Sequence, residues 1–236
     1  MDISEIMGRL SELGTEQTKK TLLRHGANEP IFGVKIGDLK KFLVKDVKKN
    51  PQLALDLFAT GNSDAQYLAG LAIQPKKMKK EQLQTWMETA NCSFIAGSIV
   101  ASVAAESLFA KELALEWMAS EQEYIENAGW TTYGSFISIT PDTAIHQQEV
   151  EALLDSIEKN IHQAKNRVRY SMNQFVICVG SYYPPLLTRA EEVAKTIGKV
   201  EVYLGDTACK VPLATDYIEK VVTMERVGRK RKHAVC

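Results

Sequence analysis

A chain of 236 residues, 45% hydrophobic and 25% charged, has the composition of an ordinary globular protein with length enough for a sizeable core. Lysine plus arginine equals aspartate plus glutamate, 29 each, which excludes a uniformly basic polyanion binder and requires any such binding to come from uneven placement of charge.

Helical periodicity runs through most of the chain. Residues 2–25 carry Ile3, Ile6, Leu10 and Leu13 at helical spacing, with Gly14 interrupting and Gly26 ending the run. Asn28 to Gly33 reads as a turn segment, and Val34 to Gly37 leads into a helix over 38–48 whose buried face is Leu39, Phe42, Leu43 and Val47. Asn50-Pro51 breaks it, because proline suits a helix start and not a helix interior. Helices follow over 52–59 and 63–73, with Asn62 or Ser63 as cap, and over 79–90. The next, 93–109, has no charge before Glu106; Ile95, Ile99 and Val103 recur every fourth residue among small side chains, the pattern of a helix enclosed by neighbours. Helices over 111–120, 121–139, 146–162, 167–179, 186–197 and 214–224 complete the plan. Short helices joined by brief breaks predict an all-α solenoid of stacked helix pairs, forming one domain over 1–236. One segment departs from this rule. Val200 to Leu204 alternates, Gly205-Asp206 offers a turn, and Thr207 to Val211 returns, so a β-hairpin is expected over 200–211.

Positive charge gathers in two places. Arg226 to Lys232 holds five basic residues in seven positions and no acid, a run suited to phosphate contact. Lys35, Lys40, Lys41, Lys45, Lys48 and Lys49, with a second lysine group over 76–80, concentrate charge in the first third; Arg167 and Arg169 come later. Trp86, Trp117 and Trp130 occupy apolar positions; Trp130 lies among small residues, Ala128-Gly129-Trp130-Thr131, that could open an aromatic ring to a groove. Tyr182-Tyr183 before Pro184-Pro185 could anchor a loop or stack on bases. No phosphate loop, dinucleotide fingerprint, HExxH or GxSxG is present, and the histidines are isolated. The four cysteines lie far apart without CxxC spacing, which points to reduced packing thiols rather than a metal site. MDISEIMGRL has acids where a leader peptide needs positive charge, and no apolar run reaches the ~20 residues of a membrane span, so a cytoplasmic location is expected.

Phe32-Gly33-Val34-Lys35-Ile36-Gly37-Asp38-Leu39-Lys40-Lys41, the Ala90 to Val100 segment and the basic Arg229-Lys230-Arg231-Lys232 end resemble the AlkD/AlkC-type DNA alkylation repair proteins, across nearly the whole chain. The resemblance implies a HEAT-like stack curved into a positively charged groove for DNA, and, in active members, excision of cationic alkylated bases without flipping them into a pocket. Active members open the central helix with Trp-Asp-x-x-Asp. Here Ser93 falls at the tryptophan, Phe94 at the first aspartate and Gly97 at the second, and no aspartate occurs between Asp64 and Asp142. The helix that carries an arginine in the family reads Tyr124-Ile125-Glu126-Asn127, and a later tryptophan falls near Gln174. Base excision develops positive charge on the sugar, which a nearby carboxylate stabilises while positioning water; glycine does neither. The chain therefore resembles the AlkF/AlkG-like branch, which lacks robust excision and carries an inserted hairpin, and this implies binding to branched or distorted DNA. On that reading Lys35, Arg169, Lys210, Arg229, Lys230, Arg231 and Lys232 hold phosphates, and Ser93, Gly97, Trp130 and Gln174 face the groove. No catalytic residue, metal or cofactor is implied, and a monomer without membrane association is expected. Two rival readings are an active glycosylase with a displaced carboxylate, Glu106 or Glu126, and a protein-binding scaffold.

Overall fold

The computed structural model describes residues 1–205 and 208–234. They gather into two compact units, Met1–Leu108 and Phe109–Leu204 with Ala208–Ala234. In the first unit lie α1 (Ile3–Leu13), α2 (Glu16–Arg24), α3 (Ile36–Phe42), α4 (Val44–Val47), α5 (Pro51–Ala59), α6 (Ser63–Ala72), α7 (Lys80–Glu88) and α8 (Ala101–Ala105). The second holds α9 (Ala110–Met118), α10 (Glu123–Ile139), α11 (Gln147–Asn160), α12 (Asn166–Tyr182), α13 (Leu187–Ile197) and α14 (Ala214–Thr223). Among the described residues no helix is long and apolar enough to cross a membrane.

Local chemistry explains the boundaries. Asp2 caps α1 in a reciprocal capping box with Glu5. Asn50 accepts from the Gln52 N–H and places Pro51 in the first turn of α5, where its missing donor costs nothing. Asn62 caps α6 by accepting from the N–H groups of Asp64 and Ala65. The small-residue segment that sequence reads as one α-helix is instead π-helical over Ile95–Val100 before α8 begins. Its last turn closes with the Ala101 N–H donating to Ala96 O, five residues back.

In the second unit α10 packs against α9 and α12, and α12 against α13 and α14. A methyl group on Gly129 would lie 2.5 Å from the Met118 amide nitrogen and 2.8 Å from Ala114 O, so glycine is what lets α10 approach α9. Trp130, Tyr133, Phe175, Val176 and Ile218 form the core between these helices. Each such side chain contributes roughly 1.5–3 kcal/mol by leaving water.

The expected hairpin over 200–211 does not form: the described residues contain no strand, and its turn residue Asp206 lies outside them. Two asparagines of α12 hold this segment by its backbone, one within it at Tyr203 and one just beyond it at Pro212. Asn166 accepts from the Tyr203 N–H at 2.7 Å and donates to Tyr203 O at 2.8 Å. Asn173 donates to Pro212 O at 2.9 Å. Val200 is buried and Val202 and Val211 pack on the core, so the alternation marks one apolar edge of an extended segment laid along helices.

Candidate nucleic-acid interface

In the first unit the loop before α3 is fixed by one buried carboxylate. Asp64, 3% exposed in the first turn of α6, accepts from three successive backbone amides: Phe32 at 2.7 Å, Gly33 at 3.0 Å and Val34 at 2.9 Å. Gly33 sits at φ +83 against the backbone of Lys19, a position no side chain could share. The loop follows a cis Glu29–Pro30 bond. Lys19 pairs with Glu29 at 2.8 Å, which raises the lysine and lowers the carboxyl from their ordinary values, chiefly through the hydrogen bond between them. The outcome is that Lys35, exposed, stands at the head of α3 just after three amides bound by one carboxylate. Nothing in the sequence marked Asp64 as more than a first-turn acid; its partners are about thirty residues away.

A second polar knot holds the approach to the central helix. Asn91 accepts from Ser63 Oγ at 2.7 Å and donates to Gly61 O at 2.8 Å, while its own N–H donates to Gln66 Oε1 at 2.8 Å. Ser93 and Phe94 emerge exposed just beyond, with Gly97 half-buried in the π-helical turn. Phe94 is 41% exposed and stacks on Tyr67, ring centroids 6.0 Å apart. The exposed face here is aromatic; Phe94 and Tyr67 line one small pocket with Asp64, whose oxygens are taken up by the three backbone amides.

The second unit sorts its candidates differently. Trp130 does not open to a groove: it is 4% exposed and packs edge-to-face on Phe175 at 5.5 Å. The small residues beside it serve the contact of α9 with α10. Gln174 is half-buried, its amide 3.4 Å from the Tyr170 hydroxyl. Arg169 is half-buried with Nη2 3.5 Å from Asn166 Oδ1, and Lys210 is exposed on the extended segment. Glu126 lies 2.6 Å from Lys165 Nζ and so has its charge answered; Glu106 ends α8, half-buried.

The basic C-terminal run is a fixed ledge. Gly228 N–H donates to Ser181 O at 2.9 Å and Arg231 N–H to Ser138 O at 2.8 Å. Lys230 has a different task from the expected phosphate contact. Its ammonium donates to Ile137 O at 2.9 Å and Tyr182 O at 2.7 Å, at the ends of α10 and α12, and pairs with Asp142 Oδ1 at 2.9 Å. Arg229, Arg231 and Lys232 remain exposed around that peg. Arg226, Arg229 and Arg231, with Lys220 and Tyr217 of α14 and Tyr182 of α12, line one cavity of about 550 Å³. Burial raises the Tyr182 hydroxyl above its ordinary value, and the positive charges of Arg231 and Arg226 pull the other way. Sequence reading passed over Tyr217 and Lys220. Their signal was a helical stripe at 217, 220, 221 and 224 whose aromatic and methionine members stay half exposed, which is unlike a core face.

The sequence profile of the family described as DNA alkylation repair enzyme matches residues 6–196. Two uncharacterized proteins, Lin0241 of Listeria innocua and Lmo0209 of Listeria monocytogenes, are each 39% identical over 219 residues, covering 89% of this chain and 93% of theirs. A solved structure superposes with a TM-score of 0.91 at 35% identity over the full length of both chains; it represents a family of proteins related to the HEAT-like repeat DNA glycosylases with affinity for branched DNA structures. Helical architecture, the Phe32 to Lys41 stretch and these matches agree, and the chain belongs to the DNA alkylation repair enzyme family.

Proposed function

We propose that this chain binds branched or distorted DNA through phosphate contacts and carries little or no base-excision activity. The observation that supports binding most directly is the full-length likeness, at 35% identity, to a protein whose family has affinity for branched DNA. Lys35, Arg169, Lys210, Arg229, Arg231 and Lys232 supply the phosphate contacts, while the exposed Phe94 ring offers a stacking face to an unpaired base. Loss of excision follows from chemistry at the same place. A sugar developing positive charge meets an aromatic ring at residue 94 and a glycine at residue 97, and neither stabilises a cation-like transition state as a carboxylate does.

Titrating linear, bulged and four-way DNA over a salt series tests this. If four of these six residues contact phosphate at once, affinity falls roughly a hundredfold between about 50 and 200 mM salt, and branched DNA binds tighter than linear. Arg229→Glu with Arg231→Glu weakens binding to all sequences alike. A flat salt profile, or equal affinity for the three DNA forms, would refute the proposal.

Family membership supports a second reading, an active glycosylase using Glu106 or Glu126. Incubation with DNA containing methylated purines decides between them: abasic sites that disappear in Glu106→Gln or Glu126→Gln establish excision.

A further inference from the structure

The cavity beside the C-terminal ledge is built for more charge than its surroundings demand. Beyond Thr223 the chain turns back through Glu225, held at φ +53, and Arg226 N–H bonds to Val221 O at 3.0 Å. The pinned ledge then sets Arg226, Arg229 and Arg231 around the same space as Lys220. Cations near helix C-termini have an ordinary explanation, since each such end carries about half a negative charge. Lys230 already answers α10 and α12 by direct hydrogen bonds. Four further cations line the cavity and no acidic residue does; Asp216, Glu219 and Glu225 lie nearby in sequence and are not among its walls. The remaining walls include Tyr217, 52% exposed, and the Tyr182 hydroxyl.

We infer that this cavity receives a phosphate monoester, the phosphorylated end of a DNA strand, with the Tyr217 ring against the terminal base. The inference rests on the DNA-binding reading and adds a recognised end to it. An internal phosphodiester has one charge and continues into sugar on both sides. A terminal phosphate carries roughly −1.5 to −2 and three acceptor oxygens, the number that several guanidinium forks can share. A walled space also suits a strand end better than a continuous ridge. A free mononucleotide carries the same group, so the test separates the two sources.

The full chain is titrated with one oligonucleotide bearing either a 5′-phosphate or a 5′-hydroxyl, and with a covalently closed circle of similar sequence. The phosphorylated end should bind about tenfold tighter, the effect of one added charge-assisted contact. Arg226→Ala, and separately Lys220→Ala, should abolish that difference while sparing most of the affinity for the circle; an unchanged melting temperature shows that the variants fold. Equal affinity for the two ends, or a loss shared equally by circle and phosphorylated end, overturns the inference. Competition by deoxyadenosine monophosphate at equal strength, with no preference between the two oligonucleotides, assigns the site to free nucleotides and overturns the strand-end assignment. Failure to bind the circle together with retained, Arg226- and Lys220-dependent binding of the phosphorylated strand sinks the wider DNA-shape reading and leaves the end site standing.

Discussion

Replacing Asp64 with asparagine removes one charge and almost no volume, which makes it a clean probe of the loop that presents Lys35. One carboxylate oxygen accepts from Phe32 and Gly33 and the other from Val34, all between 2.7 and 3.0 Å, in a site 3% exposed. An amide can keep at most the oxygen with two bonds; its NH₂ then faces the third N–H. Two bonds lose their charge, about 1 kcal/mol each, and a buried donor is orphaned at about 1–3 kcal/mol, so the expected cost is about 3–5 kcal/mol. With a urea dependence of about 2 kcal/mol per molar, the unfolding midpoint followed by circular dichroism should fall by about 1.5–2.5 M. Lys35→Ala, which keeps the carboxylate and its three bonds, should leave the midpoint within about 0.3 M and weaken only DNA binding. An Asp64→Asn midpoint within that same narrow range would refute the reasoning, because it would mean the three amides are satisfied without the carboxylate.

Gly129→Ala sets a methyl group against the backbone of α9 and should destabilise the second unit by about 1–3 kcal/mol, read as a lowered thermal midpoint; unchanged stability would mean that α10 does not need the close approach. Arg189 lies 2.7 Å from carboxylate oxygens of both Asp155 and Glu158 and holds Glu158 below its ordinary value of 4.5. A lowered folded-state value gives stability that is complete above 4.5 and fades as pH falls through the lower value, so Arg189→Leu should be less stable than the parent at neutral pH and show a shallower acid limb in pH-dependent unfolding. Burial pushes the Cys178 thiol up to about 11, whereas Cys209 is exposed. With a disulfide reagent near neutral pH, Cys209→Ser should therefore remove one fast-reacting equivalent and Cys178→Ser none.

Helices were legible because their signals are local. Asn50-Pro51 and Asn62 each announce a helix start within three residues, and every expected helical stretch is helical to within a few residues at its ends. Long-range partners left no such trace. Alternation over 200–211 pointed to a hairpin, yet it is Asn166, more than thirty residues earlier, that takes both backbone groups of Tyr203, and Asn173 that takes Pro212 O just beyond. Lys230 read as one more cation in a basic run; its carbonyl partners lie 93 and 48 residues away. Ala128 and Gly129 suggested an opened groove beside Trp130, when the same smallness serves a helix contact that buries the ring. At the candidate interface the identities of Phe94 and Gly97, the residues that the resemblance sets against the family's aspartates, were plain from the sequence. The aromatic pair Tyr67 and Phe94 was not, because the two rings meet only after folding.

The wide turn at Ile95–Val100 acts as a phase shifter. A π-helical turn accommodates one residue more than an α-helical turn, and one residue corresponds to about 100° of rotation about the axis. Everything upstream of it, Ser93 and Phe94 included, is therefore swung by that angle relative to what a plain helix continuing from α8 would present. Shortening the segment by a single small residue would preserve a continuous apolar rod and bring another side chain to its mouth. A lineage could thus exchange an aromatic face for a different group at this spot through one deletion, without redesigning the scaffold beneath it.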